Sequence, residues 1–290
     1  MVVSGSRVTR LGVGVAERVQ TFEPFVRERA YIRLNEMLVD RMLKRCAPSS
    51  GYRVLDVAAG TGLMTQLVRR RARAAGARVD ALVVDLDPFA LQVARSEAPP
   101  DAEASYVCAS ADRLPFPEHF DMAIFANSLH LFDDRAKVAS LAEVSRVLRP
   151  GGVLAMNTTF YTGAAAEDRK EFYGRWMRRA VAELNQASPQ RTKADRAPST
   201  QTLTPAGYRD LVACAGFEVV EVRERRVLLS QAAVRAISGY RDFAMGALRA
   251  SEADAEQASR ALQSTVQQAF RDLHMKYLPR NWLEIIAVRS

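Results

Sequence analysis

The first half of the chain alternates between short, almost continuously apolar runs and longer stretches with helical spacing. "YRVLDVA", "VDALVVD", "ASYVCAS", "FDMAIFAN" and "GVLAMNTT" (residues 52–58, 79–85, 104–110, 120–127 and 152–159) are the apolar runs. Each is short and apolar on both faces, which predicts strands of a parallel sheet covered on both sides. Between them, "GLMTQLVRRRARAAG", "DPFALQVARSEA" and "DRAKVASLAEVSRVL" carry the helical period. Asp87 and Pro88 mark the start of the second, and "RPGG" stops the third. Strand, helix, strand in repetition predicts an α/β fold, Rossmann-like and doubly wound.

The flanking sequence follows other rules. Residues 25–43 place Tyr31, Leu34, Leu38 and Met42 at helical spacing. Beyond residue 160, "EDRKEFYGRWMRRAVAELNQ" predicts a helix with Phe172, Trp176, Ala180 and Leu184 on one face. Residues 188–203 are polar and proline-interrupted, and predict a mobile loop. "TPAGYRDLVACAG" predicts a helix capped by Thr204, and "FEVVEVRERRVLL" and "NWLEIIAV" predict the sixth and seventh strands. Helical stretches at 231–249 and 252–277 separate these two strands, where a hairpin needs only a short turn. The expected organisation is therefore an N-terminal helical cap at 1–50, a core at 51–160, a helical lid and loop at 161–203, and the rest of the sheet at 204–290 with an insertion at 231–278.

Composition narrows the class. The chain has 290 residues, a net charge of +8 and three separated cysteines, Cys46, Cys108 and Cys214. Neither a disulfide framework nor a metal-ligand spacing is present, which predicts reduced thiols, a cytoplasmic setting and no metal. No run is long and apolar enough to predict a membrane span, and no signal sequence is predicted. The positive charge raises the question of a nucleic-acid partner. Its densest cluster, Arg69, Arg70, Arg71 and Arg73, falls at a predicted helix end, where basic residues complement the helix dipole.

Candidate chemistry lies at the carboxyl ends of the strands, where ligands bind in such sheets. Gly60 and Gly62 leave the backbone after the first strand open to close approach. The third glycine of a pyrophosphate cradle is missing, and Asp56 stands four residues before Gly60. A carboxylate there repels a phosphate and favours a cation or an amino group. Asp85, at the tip of the second strand, is placed to take ribose hydroxyls. Together these features predict a phosphate-free nucleoside ligand of the S-adenosylmethionine type.

The motifs "VLDVAAGTG", "VVDLDPFALQVAR", "SADRLPFPEHFDMAIFANSLHLFDD" and "VLRPGGVLAMNT" follow one another over about residues 50–160. In order and spacing this stretch resembles the class I S-adenosylmethionine-dependent methyltransferases, in particular the ubiquinone/menaquinone-type and natural-product enzymes. The resemblance implies a mostly parallel seven-stranded sheet with an antiparallel last strand and a helical cap. It implies that Asp56, Ala58, Gly60 and Gly62 hold the methionine and ribose portion. Asp85 would take the ribose hydroxyls, Leu86 would pack on the adenine, and Ser110, Ala111 and Asp112 would read its edge. Asn127 would lie where the methionyl group passes. Ala58 replaces the family's first loop glycine, and Ser110 stands where aspartate is frequent.

His130 and Tyr161 are the candidate catalytic bases by position. The segments outside the core supply many aromatic residues: Phe22, Phe25 and Tyr31, then Tyr161, Phe172, Tyr173 and Trp176, then Tyr240 and Phe243. Phe25, Tyr31, Trp176, Tyr240 and Phe243 are the expected acceptor-binding residues, in a pocket for a bulky, largely apolar small molecule. "NSLH" after the fourth strand lacks the signature of base-amino methylation, which argues against nucleic acid as the acceptor. A non-methylating reaction on the same fold, such as a cyclisation, is the alternative, and a homodimer is compatible with the chain.

Overall fold

The structure, a computed structural model, describes residues 23–46, 49–100, 102–117, 119–165, 169–194 and 202–290. Phe22 and residues 195–201 of the expected loop lie outside them. Seven strands form one sheet in the order β3-β2-β1-β4-β5-β7-β6. They are β1 (Gly51–Val57), β2 (Arg78–Asp85), β3 (Ala104–Cys108), β4 (Phe120–Ala126), β5 (Leu148–Thr158), β6 (Phe217–Ser230) and β7 (Tyr277–Arg289). β1 to β5 pair in parallel, and β7 runs antiparallel between β5 and β6. The expected sheet is found, antiparallel last strand included.

Helices α2 (Arg29–Arg45), α3 (Leu63–Ala74) and α4 (Pro88–Ser96) surround the sheet with α5 (Asp134–Val147) and α7 (Pro205–Cys214). On one face Leu38, Val39 and Met42 of α2 and Leu67 and Val68 of α3 cover Val54, Met122, Ile124 and Ile286. On the other, Leu141 and Val144 of α5 and Tyr208 and Val212 of α7 cover Leu55, Phe125, Leu154 and Ile285. Asp87 and Thr204 accept from the amides of Phe89 and Gly207, and so cap α4 and α7 as their positions predict.

A third apolar cluster forms the cap. α1 (Glu23–Val26), the start of α2, α6 (Lys170–Ala187), α8 (Gln231–Ser238), α9 (Arg241–Leu248) and α10 (Ala255–Asp272) gather around the far ends of β6 and β7. Pairing between β5 and β7 ends at Thr158↔Leu283, whereas β6 and β7 stay paired as far as Ser230↔Tyr277. The two strands thus run on past β5 as a ribbon of six residues' length, roughly 20 Å, and the helices of the insertion sit at its end.

Three expected boundaries shift. The helix at 25–43 breaks between Val26 and Arg29, and the stretch at 231–249 divides between Ser238 and Arg241. β7 begins at Tyr277, four residues before the expected strand, with Pro279 opposite Leu228. Proline tolerates this place because β7 has left β5 by then, and that edge carries only an isolated bridge between Arg280 and Ala165.

Candidate active site

The loop from Ala58 to Gly62 joins β1 to α3. Ala58, Gly60 and Gly62 all have positive φ, at 50°, 55° and 80°. Gly60 needs this freedom most visibly: a Cβ there would meet nothing within 4 Å, so the backbone faces open space. Asp85, at the end of β2, reaches across to this loop. One carboxylate oxygen accepts from the Gly60 amide at 2.7 Å and the other from the Asp87 amide at 2.9 Å. A carboxylate has about four acceptor positions, so Asp85 orders the glycine loop and retains capacity for a ligand's hydroxyls.

Asp56 is 1 % exposed. One of its oxygens accepts from both the Thr65 hydroxyl, at 2.6 Å, and the Thr65 amide, at 3.0 Å. It thereby satisfies a free N–H in the first turn of α3. Burial raises its carboxyl to about 7; the Thr65 bonds oppose the shift and the neighbouring Asp85 charge adds to it. Asp56 therefore shapes the loop from beneath. Tyr31, from the cap, comes close enough to Asp56 for that charge to add to the burial that holds the phenol protonated.

Leu86 is 69 % exposed and Phe89 63 %, an unusual pair of open apolar surfaces beside Asp85. Ser110, Ala111 and Asp112 follow β3, whose Cys108 pairs with Asp85, and the Ala109 amide donates to the Asp85 carbonyl. Ala111 is buried and Asp112 exposed. An apolar shelf, a carboxylate with spare acceptor capacity and an open glycine turn, side by side, fit a nucleoside sulfonium. The site would hold S-adenosylmethionine through the residues expected to do so, with Asp56 one layer below.

Asn127, beyond β4, also has positive φ, 49°, and its Oδ1 accepts from the Thr159 amide at 3.2 Å. His130 follows in a short helical turn, Leu129–Leu131, and stacks on Phe160 at 3.7 Å. It is 6 % exposed, and its Nδ1 has no hydrogen-bond partner. Burial, with the charges of Arg280 and Lys137, lowers its ionisation to about 3, so the imidazole is neutral at ordinary pH. A base with so low an affinity for protons is poorly matched to deprotonating an acceptor.

Other expectations need correction. Tyr161 packs in the core beneath α5 and α7, and its hydroxyl donates to Glu224 at 2.7 Å. Burial and the Glu224 carboxylate push its ionisation far above the ordinary phenol value, so it holds its proton instead of accepting one. Trp176 is 1 % exposed with its indole N–H committed to the Leu262 carbonyl, which makes it core, not a pocket wall. Phe25 and Tyr31 are likewise buried, clustered with Trp282 at 6.5 and 6.0 Å. Tyr240 and Phe243 are half-buried. Phe243 lies against Trp176, while the Tyr240 hydroxyl donates to Asp242. Burial and the Asp242 carboxylate, with smaller contributions from Asp85 and Asp87, keep Tyr240 protonated.

Residues 188–194 of the expected mobile loop are tied down. Arg191 donates to Asn185 and to the carbonyls of Leu248 and Arg249, and Ala194 and Arg249 exchange two hydrogen bonds. The basic cluster on α3 is also engaged, with Arg70 paired to Glu36 and Arg71 to Asp40. Two charged residues escaped the sequence reading. Glu284 is a lone charge in the apolar "NWLEIIAV", a visible signal; Arg280 lies just before it and gave none.

A family model for a methyltransferase domain matches residues 54–152. Over 118 residues the chain is 37 % identical to a ubiquinone/menaquinone biosynthesis C-methyltransferase of Psychromonas ingrahamii, covering 38 % of this chain and 45 % of that one. Over 182 residues it is 32 % identical to a malonyl-[acyl-carrier protein] O-methyltransferase of Halorhodospira halophila, covering 62 % and 56 %. The chain thus spans about half the length of these curated relatives. Among solved structures, the [4+2]-cyclase SpnF superposes with a TM-score of 0.52 at 18 % identity, covering 88 % of this chain and 81 % of that one. The YcgJ protein of Bacillus subtilis gives 0.52 at 16 %, covering 88 % and 98 %. Among the described residues no helix is long and apolar enough to cross a membrane. Residues 54–152 thus match a methyltransferase domain, and the sheet that carries them shares its fold with these solved structures.

Proposed function

We propose that the protein transfers a methyl group from S-adenosylmethionine to a bulky, largely apolar small molecule of specialised or quinone-like metabolism. The observation that carries this reading is the bond from Gly60 to Asp85, which holds an open glycine turn and a ribose-type carboxylate in one place. The bound cofactor supplies an electrophilic methyl group on a sulfonium. The chain's part is positional: Asp85 orders the loop, Asn127 and Thr159 set the end of β4 against the end of β5, and the cap keeps water from the reacting atoms. His130, neutral and buried, serves as a polar wall or a hydrogen-bonding group. The C- and O-methyltransferase names of the two relatives support small-molecule or carrier-linked acceptors over nucleic acid.

Calorimetry with S-adenosylhomocysteine tests the site. Micromolar affinity, about −8 kcal/mol, is expected. Asp85→Ala should weaken it by about 1–3 kcal/mol. Folded protein that binds neither nucleoside would overturn the reading. A product heavier by one methyl group separates methyl transfer from a cyclisation, which leaves the mass unchanged.

A further inference from the structure

Arg280 lies on the part of β7 that has passed the end of β5, and it turns back onto that end. Its Nε donates to the Thr159 hydroxyl at 2.6 Å, its Nη2 to the Thr159 carbonyl at 2.9 Å and its Nη1 to the Tyr173 hydroxyl at 2.8 Å. The guanidinium carbon stands 5.7 Å from the Phe160 ring centroid and 5.8 Å from that of Tyr173. A guanidinium has five N–H groups. Three are used here, all on neutral oxygens, and one remains on each Nη nitrogen.

The half-buried cation has no carboxylate within 4.0 Å among the described residues. This departs from the protein's practice elsewhere: Arg41, comparably buried, contacts both Glu221 and Glu284. A guanidinium withdrawn from water is costly unless an anion pairs with it. Its place is also special. The Thr159 it grips bonds Asn127, and the next residue, Phe160, stacks on His130, whose Nδ1 is buried without a partner. A cation without a carboxylate and an imidazole with an unused nitrogen therefore both pack on Phe160, at the end of β4 and β5.

We propose that Arg280 is the anion-binding residue of the acceptor site, and that the acceptor carries a carboxylate gripped by the two remaining Nη protons beside His130 and Phe160. This rests on the reading that the methyl acceptor enters at the Asn127–His130 turn. Arginine can present several N–H donors to one carboxylate, whereas lysine offers a compact point charge. The competing role, a brace between β5, α6 and β7, uses only the three bonds already made and requires no ligand.

Benzoate and benzamide, alike in shape and different in charge, discriminate the two, with phenyl phosphate as a third arm. Each is titrated into the full chain with and without S-adenosylhomocysteine, and binding is followed by NMR line shifts. Benzoate should bind at least tenfold more tightly than benzamide and no more weakly than phenyl phosphate. Arg280→Gln should erase the tenfold preference, and Arg280→Lys should restore only part of it. Equal binding of benzoate and benzamide, or no benzoate binding, overturns the proposal, as does a preference that survives in Arg280→Gln. Phenyl phosphate binding tenfold more tightly than benzoate overturns the carboxylate assignment. The wild-type comparison needs no variant, so a folding defect in Arg280→Gln leaves the deciding readout intact. Failure of the nucleoside to bind would sink the methyltransferase reading, whereas the benzoate preference is read without it.

Discussion

Thr65 donates twice to a single oxygen of Asp56, from its hydroxyl at 2.6 Å and from its amide at 3.0 Å. The pair ties β1 to the first turn of α3 directly under the glycine loop. Burial raises Asp56 to about 7 from an ordinary 3.8, so the folded state holds a proton that the unfolded chain has released. The stability linked to this proton is present below pH 3.8 and is lost as pH rises towards 7. Between pH 5 and 8 the wild type should lose about 3 kcal/mol relative to Asp56→Asn. Urea denaturation at both pH values checks it; parallel behaviour of the two proteins would mean that Asp56 ionises like a surface carboxylate.

His130 should produce the opposite slope. Its folded value is lowered to about 3 from 6.5, by burial first and then by the Arg280 and Lys137 charges. The unfolded chain therefore takes up a proton that the folded state refuses. The linked stability is complete above pH 6.5 and falls by about 1.4 kcal/mol for each unit below it. Melting curves from pH 7 to 4.5 should show a smaller acid loss in His130→Gln than in the wild type.

Glu284, 1 % exposed, accepts from Arg41 at 2.6 Å and from Arg225 at 3.4 Å, and so joins α2 to β7 and β6. Removing the carboxylate leaves two arginines with less than they need. Glu284→Ala should cost about 3–5 kcal/mol, whereas Glu256→Ala, which breaks an exposed pair with Arg260, should cost under about 1 kcal/mol. Comparable losses in the two variants would argue that the buried network adds no stability.

The glycine loop separates structure from ligand access. At Gly62 an added Cβ would sit 3.0 Å from the Ala94 Cβ of α4, with φ at 80°. Gly62→Ala should therefore lose stability through both strain and crowding. At Gly60 the Cβ meets no atom, so Gly60→Ala should cost only about 1–2 kcal/mol for the backbone conformation. Its nucleoside affinity should nevertheless fall more than tenfold, because the methyl group occupies the ligand's approach. Calorimetry beside thermal melting reads both quantities; native affinity in Gly60→Ala would move the ligand off this turn.

The core was legible because its signals are local. An apolar run such as "ALVVD" ending in a carboxylate, or two glycines between a strand and a helix, states its role within a few residues. The cap was legible only as a surplus of aromatic side chains. Whether Trp176 faces a ligand or a neighbour depends on Leu262 and Phe243, far along the chain, and on a hydrogen bond that no spacing announces. Arg280 was hidden for the same reason: its partner Thr159 is 121 residues away. In a sequence with many arginines, one lacking a carboxylate is conspicuous only when its neighbours in space are known.

The position of β7 has a consequence for how the molecule comes into being. β6 precedes β7 in the chain but reaches the sheet only through it. While a ribosome is still translating the stretch between them, β5 presents an open edge and β6 has no neighbour to bind. An unpaired edge of this kind invites pairing with other chains, and contacts this distant in sequence form slowly. The nascent protein therefore passes through an interval in which the nucleoside half can already be assembled while the lid cannot. Slow decoding before residue 277 would prolong that interval.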